Sequence, residues 1–364
     1  MIKILYILIF AIAVLVVATM LFMQQATFGK NPSGARLERI KKSKNYSDGA
    51  FQNLHNTPNF GEGYNFWKIL KLYWAKGPTT PDHILPSKKL SFDTTDVNDY
   101  KVTWLGHSTY LIQVDGKTIL VDPIIVGNIS PVSFFGKSYP IEHPYQLSDL
   151  PNIDYLLITH DQFDHLSYAT ILALKDKVKH IYTSLGVGSH LEYWGVSPEN
   201  ITELDWEESA TIIDSLEITA QPARHFSGRT FTRNQTLWSS FILKSKHKKI
   251  YIGGDSGYDD HFKKIGEKFG PFDITILECG QYNPAWGYIH MQPEEVAQAA
   301  KDLNTKLLLP VHWAKYTLAL HPWNEPILRI TKAANEMNVP ITTPMIGETV
   351  VLDSVVPKSQ WYLN

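Results

Sequence analysis

The segment Tyr155-Leu156-Leu157-Ile158-Thr159-His160-Asp161-Gln162-Phe163-Asp164-His165 carries an apolar run straight into a loop of histidine and aspartate. A short apolar run bounded by polar residues reads as a buried strand. In the tight loop after it, residues 160 and 162 can point one way while 164 and 165 reach a second position. One segment can therefore serve two adjacent ions. Two metals about 3.5 to 4 Å apart polarise a phosphoryl or carbonyl oxygen and hold a hydroxide between them. Taken alone, the segment is moderately specific, since a loop with two His and two Asp could be only a polar turn.

The same arrangement recurs along the chain. Tyr251-Ile252-Gly253-Gly254 leads into Asp255, Leu308-Leu309-Pro310-Val311 into His312, and Ile218-Thr219-Ala220, after a short loop, into His225. Strand ends collect functional groups because the strand fixes the backbone while the loop leaves an opening. Further strand-like runs are Val102 to Leu105, Tyr110 to Val114, Thr118 to Val121, Leu216 to Ala220, Phe241 to Leu243, Ile250 to Ile252 and Ile274 to Leu277. Asp115-Gly116 is a hairpin signal. Helical spacing appears at Tyr168 to Leu174, His261 to Phe269, Glu294 to Leu303 and Glu325 to Met337. Strands with interleaved helices give an α/β or α+β class with two sheet layers.

Composition narrows the chemistry. With 44% hydrophobic and 19% charged residues over 364 positions, the chain can build a large core, which excludes disorder. A formal charge of -2 gives no electrostatic support for nucleic-acid binding. Cys279 is the only cysteine, so there is no intrachain disulfide and no thiolate cluster. Any metal must then be held by carboxylates and by some of the 14 histidines.

The N-terminus has its own character. Ile4 to Met23 contains no charge, and a helix of that length spans about 30 Å of hydrocarbon. An uncleaved single-pass anchor over residues 1–25 is expected in preference to a signal peptide, because Met23-Gln24-Gln25-Ala26-Thr27 is a poor cleavage site. Lys30, Arg36, Arg39, Lys41, Lys42 and Lys44 then face only Glu38, which suits either a solvated linker or contact with anionic headgroups. Residues 26–99 read as a basic linker followed by an extension wrapped on the main domain, with one helix around Phe66 to Trp74. The aromatics of that extension are expected to pack inward.

At these residues the sequence resembles the metallo-β-lactamase superfamily, whose signature is His-x-His-x-Asp-His followed by a distant His, an Asp and a His. More closely, it resembles the branch of N-acylphosphatidylethanolamine-hydrolysing phospholipases D and their bacterial relatives. Supporting stretches include Thr103-Trp104-Leu105-Gly106-His107-Ser108, Gly254-Asp255-Ser256-Gly257-Tyr258 and Val311-His312-Trp313, and the resemblance runs from about Phe28 to Ser354. It implies a four-layer αββα sandwich over residues 100–355, with the site along one edge of the sheets. It further implies one zinc on His160, His225 and Asp255 and another on Asp164, His165 and His312, with Asp255 bridging. Asp164 and His290 would be catalytic, the first orienting the nucleophile and the second donating to phosphate or acyl amide. Gly106-His107-Ser108 reads equally as a tight turn or as part of the site.

The chain departs from the pattern at Gln162, where the family has histidine. An amide oxygen is a weaker zinc donor than imidazole. Three outcomes follow: Gln162 ligates through oxygen, the first site is empty or exchangeable, or the chain is an inactive relative. The implied function is a membrane-anchored, zinc-dependent phosphodiesterase of phospholipase D type. Its partners would be a phospholipid substrate and the bilayer. Competing readings are a hydrolase of a soluble sugar-phosphate lactone or nucleotide diester, and a non-catalytic protein with a relict metal site.

Overall fold

The computed structural model describes residues 2–92, 99–132 and 134–363; residues 93–98, the end of the expected extension, lie outside them. The chain begins with α1 (Ile2–Phe22), α2 (Gly34–Ile40), the ribbon β1 (Tyr46–Ser47) and β2 (Ala50–Phe51), and α3 (Phe66–Ala75). Next come β3 (Lys101–Trp104), β4 (Tyr110–Val114), β5 (Lys117–Val121), β6 (Tyr155–Ile158), α4 (Tyr168–Leu174), β7 (His180–Ser184), α5 (Gly188–Tyr193) and β8 (Ile201–Leu204). The second half contains β9 (Ser209–Ile213), β10 (Leu216–Gln221), β11 (Ser240–Lys244), β12 (Lys249–Ile252), α6 (His261–Phe269), β13 (Ile274–Glu278), α7 (Pro293–Asp302), β14 (Leu308–Val311), α8 (Glu325–Glu336) and β15 (Thr349–Val351).

Two sheets face each other, one ordered β15-β3-β4-β5-β6-β7-β8 and the other β14-β13-β12-β11-β10-β9. Alternation along the first sheet decides the layering. Tyr110, Ile112, Ile119, Val121 and Leu157 enter the main core with residues of the second sheet, whereas Leu111, Leu120, Leu156 and Ile158 turn to an outer cluster with Ile171 and Leu174 of α4. Phe262, Val296 and Ile330 bring α6, α7 and α8 onto the other side. The result is a four-layer αββα sandwich. The β4–β5 hairpin turns on Asp115 (φ 48°) and Gly116 (φ 69°), the left-handed pair that matches strand twist. Strands β5 to β8 and β12 to β14 run parallel, so their C-terminal ends gather along one edge.

Several elements differ from the sequence reading. It has no strand at β7, β8, β9 or β15; β8 (Ile-Thr-Glu-Leu) and β9 (Ser-Ala-Thr-Ile-Ile) are edge strands whose polar residues break the apolar signal. Arg36 pairs with Glu192 and Glu203, and Arg39 with Glu208, so part of the basic stretch is spent on contacts within the protein. Ile40 and Phe51 are buried beside Trp206 and Trp238, which fastens α2 and β2 to the sandwich. The aromatics of α3 do not pack inward. Phe66, Trp67 and Trp74 are 61%, 69% and 85% exposed. None of the 21 residues of α1 is buried, and the helix is long and apolar enough to cross a bilayer.

Candidate metal centre

Both sheets contribute to the edge where the strands end. The loop after β6 supplies His160, Asp164 and His165; the segments after β10, β12 and β14 supply His225, Asp255 and His312. Asp255 is the hub. Its Oδ2 lies 3.1 Å from His165 Nε2, 3.9 Å from His225 Nε2 and 4.0 Å from His160 Nε2, and its Oδ1 lies 2.6 Å from His312 Nδ1. Asp164 Oδ2 lies 3.4 Å from His165 Nε2 and 3.7 Å from His312 Nε2. His160 approaches Asp255, while His165 reaches both Asp255 and Asp164.

The outer ring nitrogens are held in place. His165 Nδ1 is bound to Asp122 at 2.8 Å, His225 Nδ1 donates to the Ile289 carbonyl at 2.9 Å, and His160 Nδ1 lies 3.0 Å from Thr159 Oγ1. Such contacts fix the tautomer and aim the other nitrogen inward. Among the described residues, Nε2 of His160, His165, His225 and His312 and Oδ2 of Asp255 are buried without any hydrogen bond of acceptable geometry. Five buried polar atoms without partners would be costly if nothing were bound between them. Imidazole and carboxylate donors converging in this way fit a borderline divalent metal. The backbone is strained here too: His107, Asp122 and His312 all hold left-handed conformations, at φ 51°, 39° and 70°.

Charge follows burial and neighbours. Burial, helped by His165, pushes His160 down to about 4, and burial drives His225 well below the usual histidine value. Both imidazoles are therefore neutral at physiological pH, the form that can donate to a metal. Burial disfavours a charged His165, but Asp255, Asp164 and Asp122 outweigh it and raise its pKa well above normal. Burial opposes ionisation of Asp255 and Asp164 as well, yet His165 and its neighbours hold both far below the ordinary carboxylate range.

His290 lies at the cavity wall, with Nδ1 2.7 Å from Glu278 Oε2. Burial alone would lower its pKa; Glu278 reverses this and lifts it to about 9. Burial raises the Glu278 carboxyl against the pull of His290; the 2.7 Å contact between them needs a proton, which we place on His290. His107 resolves in favour of the site: it is fully buried and its Nε2 lies 3.0 Å from Asp164 Oδ2. Gln162 lines the same cavity. Its Nε2 donates to the Phe226 carbonyl at 3.2 Å, which turns Oε1 the other way.

Asp122 and Glu278 escaped the sequence reading. Each stands at the end of an apolar strand, Asp122 directly after β5 and Glu278 closing β13, the same signal that marked Asp255.

Asp164 and His312 of the cluster, with Gln162 and His290, line a cavity of about 710 Å³ together with Phe163, Phe226, Ile129, Phe60, Tyr73, Trp286 and Arg233. Phe163 also packs against Phe28 with ring centres 5.8 Å apart, and Phe28 against Phe22 of α1 at 5.3 Å.

A model of the beta-lactamase superfamily domain matches residues 117–313. An uncharacterised protein of Mycobacterium tuberculosis is 39% identical over 319 residues, 85% of each chain. The N-acyl-phosphatidylethanolamine-hydrolyzing phospholipase D 1 of Caenorhabditis elegans is 30% identical over 293 residues, 74% of this chain and 81% of that one. Among solved structures, the metallo hydrolase Igni18 of Ignicoccus hospitalis superposes with a TM-score of 0.55 at 20% identity, covering 71% of this chain and all of that one, a likeness of fold. The chain belongs to the β-lactamase superfamily of metallo-hydrolases, as a homologue of the N-acylphosphatidylethanolamine-hydrolysing phospholipases D.

Proposed function

We propose that this protein is a membrane-anchored, zinc-dependent phosphodiesterase of phospholipase D type, acting on N-acylphosphatidylethanolamine or a related phospholipid. The observation that carries the reading is the position of the cluster: Asp164 and His312 open into a cavity that is also lined by α3, an exposed aromatic helix. Tyr73 of α3 lines the cavity, while Phe66, Trp67 and Trp74 face outward beside Lys68 and Lys71. No acidic residue occurs between Gly63 and Pro81. A helix of this composition suits the headgroup region of an anionic bilayer.

In this reading His160, His225 and Asp255 would hold one ion and Asp164, His165 and His312 another, with Asp255 shared. When bound, the metal supplies Lewis acidity to a phosphoryl oxygen and a nucleophile at neutral pH. Asp164, held by His107, orients the attacking water. His290, protonated at neutral pH through Glu278, donates to the phosphate or to the leaving alcohol. Arg233, stacked 4.6 Å over Phe226 at the rim, offers a cation to the phosphodiester.

The test is incubation of detergent-solubilised, zinc-loaded protein with mixed phospholipids that include N-acylphosphatidylethanolamine. Mass analysis should find phosphatidic acid and the free headgroup alcohol. Asp255→Asn should yield neither product and bind less metal. Release of products unaffected by Asp255→Asn would refute the site, and cleavage of soluble diesters alone would refute the lipid substrate.

A further inference from the structure

Asp161 lies within the metal loop, yet its carboxylate turns away from the cluster. Its Oδ1 accepts the Gly228 N–H at 2.7 Å, and its Oδ2 meets Thr236 Oγ1 at 2.8 Å and His190 Nε2 at 3.1 Å. Arg229 Nη1 donates to the Asp161 carbonyl at 2.6 Å and to the Leu166 carbonyl at 2.9 Å, so it spans both ends of the loop. His190 and Arg229 are buried, 1% and 4% exposed.

Both side chains continue outward to the residues that follow α1. The Lys30 N–H donates to His190 Nδ1 at 2.9 Å, which places the ring proton on Nε2 and points it at Asp161. Arg229 Nε and Nη2 donate to the Thr27 carbonyl at 3.1 and 2.7 Å. Trp194 Nε1 donates to the Ala26 carbonyl at 2.7 Å, and the Arg229 guanidinium stacks 4.0 Å from the centre of Phe163.

We infer that residues 26–30, the segment leaving the membrane helix, are a positioning element for the metal loop, acting through His190 and Arg229 on Asp161 and Leu166 and so on the direction of His160 and His165. The inference rests on the metal-centre reading above. Its physical basis is that the loop has no strand partner of its own. Its backbone carbonyls at 161 and 166 accept from Arg229, and the Asp161 carboxylate meets His190 beside Gly228 and Thr236; Arg229 and His190 are in turn held by residues 26–30, the collar, and a ligand placed 1 Å off loses much of its metal affinity. The collar and the metal loop therefore behave as one hydrogen-bonded body.

Gly29 gives a specific probe. It has φ 70°, and a Cβ there would lie 2.1 Å from His190 Nδ1. Gly34 has φ 57° with nothing within 4 Å of a Cβ, so Gly34→Ala also places a side chain at a positive φ without touching His190. Full-length protein in detergent is loaded with Co2+ and read by its visible absorption and by chelator competition. Gly29→Ala should shift the Co2+ bands and weaken at least one ion by about tenfold, while Gly34→Ala leaves both unchanged. Arg229→Lys, which keeps the charge but not the fork between Thr27, Asp161 and Leu166, should shift the bands in the same way and is decisive if Gly29→Ala does not fold. Unchanged bands and affinities in every folded variant of Gly29 and Arg229 would overturn the inference, as would equal changes in Gly34→Ala. A parent protein that binds no metal would instead overturn the metal-centre reading.

Discussion

Asp122 accepts two kinds of proton at once: its Oδ1 takes the Thr159 N–H at 2.8 Å, and its Oδ2 takes the Thr159 hydroxyl at 2.6 Å and lies 2.8 Å from His165 Nδ1. An asparagine there would set its amide against a donor in either orientation. Asp122→Asn should therefore free His165 to turn or to change tautomer, lowering metal affinity about 10- to 100-fold with the fold intact. Competition against a chelator of known affinity measures this; unchanged affinity would place the control of His165 elsewhere.

On the proposed reading, Gln162 should set a difference between the two ions. If its Oε1 completes the shell of the ion on His160, His225 and Asp255, that ion is the weaker, and each tenfold in affinity corresponds to about 1.4 kcal/mol. Mild chelation should remove the metals in two steps. Gln162→His should merge the steps, and Gln162→Ala should widen them. Two equally tight ions, indifferent to both substitutions, would put Gln162 outside the shell.

The exposed face of α3 should bind membranes on its own account. With residues 1–25 removed and the Ala26–Lys30 segment kept, the protein is expected to bind anionic vesicles more weakly as salt rises, because headgroup attraction is screened over about 8 Å at physiological ionic strength. Trp67→Ser together with Trp74→Ser should reduce vesicle binding by about tenfold or more, while cleavage of a dispersed short-chain lipid is retained. Equal sedimentation of both proteins with vesicles would assign α3 another role.

Lys315 supplies a pH test of stability. Its Nζ donates to Ile124 O at 3.0 Å, Leu105 O at 3.3 Å and Tyr145 Oη at 2.8 Å, and no carboxylate among the described residues pairs with it. Burial lowers its pKa from 10.5 to about 7. Between these values the unfolded chain binds the proton and the folded chain does not, so this group makes stability rise with pH across the window; below it the penalty is complete. Lys315→Met should thus gain on the parent most at pH 7. That advantage should shrink toward pH 10 by up to about 1.4 kcal/mol per pH unit, as read from denaturant melts of the two proteins. A difference that does not vary with pH would mean that Lys315 stays charged.

His160, His312 and Asp255 of the candidate centre are legible because each follows a run of apolar residues whose strand character is plain: Ile158 before His160, Val311 before His312, Ile252 shortly before Asp255. Such runs are read from local pattern alone, and the chain folds so that their ends share an edge. Asp122 carries the same mark after Val121, but one carboxylate beside a proline looks like a turn until the sheet brings it beside His165. Glu278 belongs to an inward strand and is visible only once α7 delivers His290 to it. The direction of α3 could not be read for a different reason. Aromatic residues in helical spacing serve a core or a bilayer equally well, and the choice depends on whether a protein layer happens to cover them. The collar contacts of His190 and Arg229 join positions far apart in the chain and leave no local trace.

Phe22 ends α1, and Phe28 already packs on the wall of the cavity. Six positions of chain, even fully extended, reach about 20 Å. On the proposed reading the protein is leashed so tightly that its opening meets only the leaflet from which its own helix emerges. Substrate would then arrive by lateral diffusion, and turnover would follow the mole fraction of the lipid in that leaflet rather than the amount in the vessel. Enzyme in one set of vesicles and substrate in another should coexist without reaction until the two are fused.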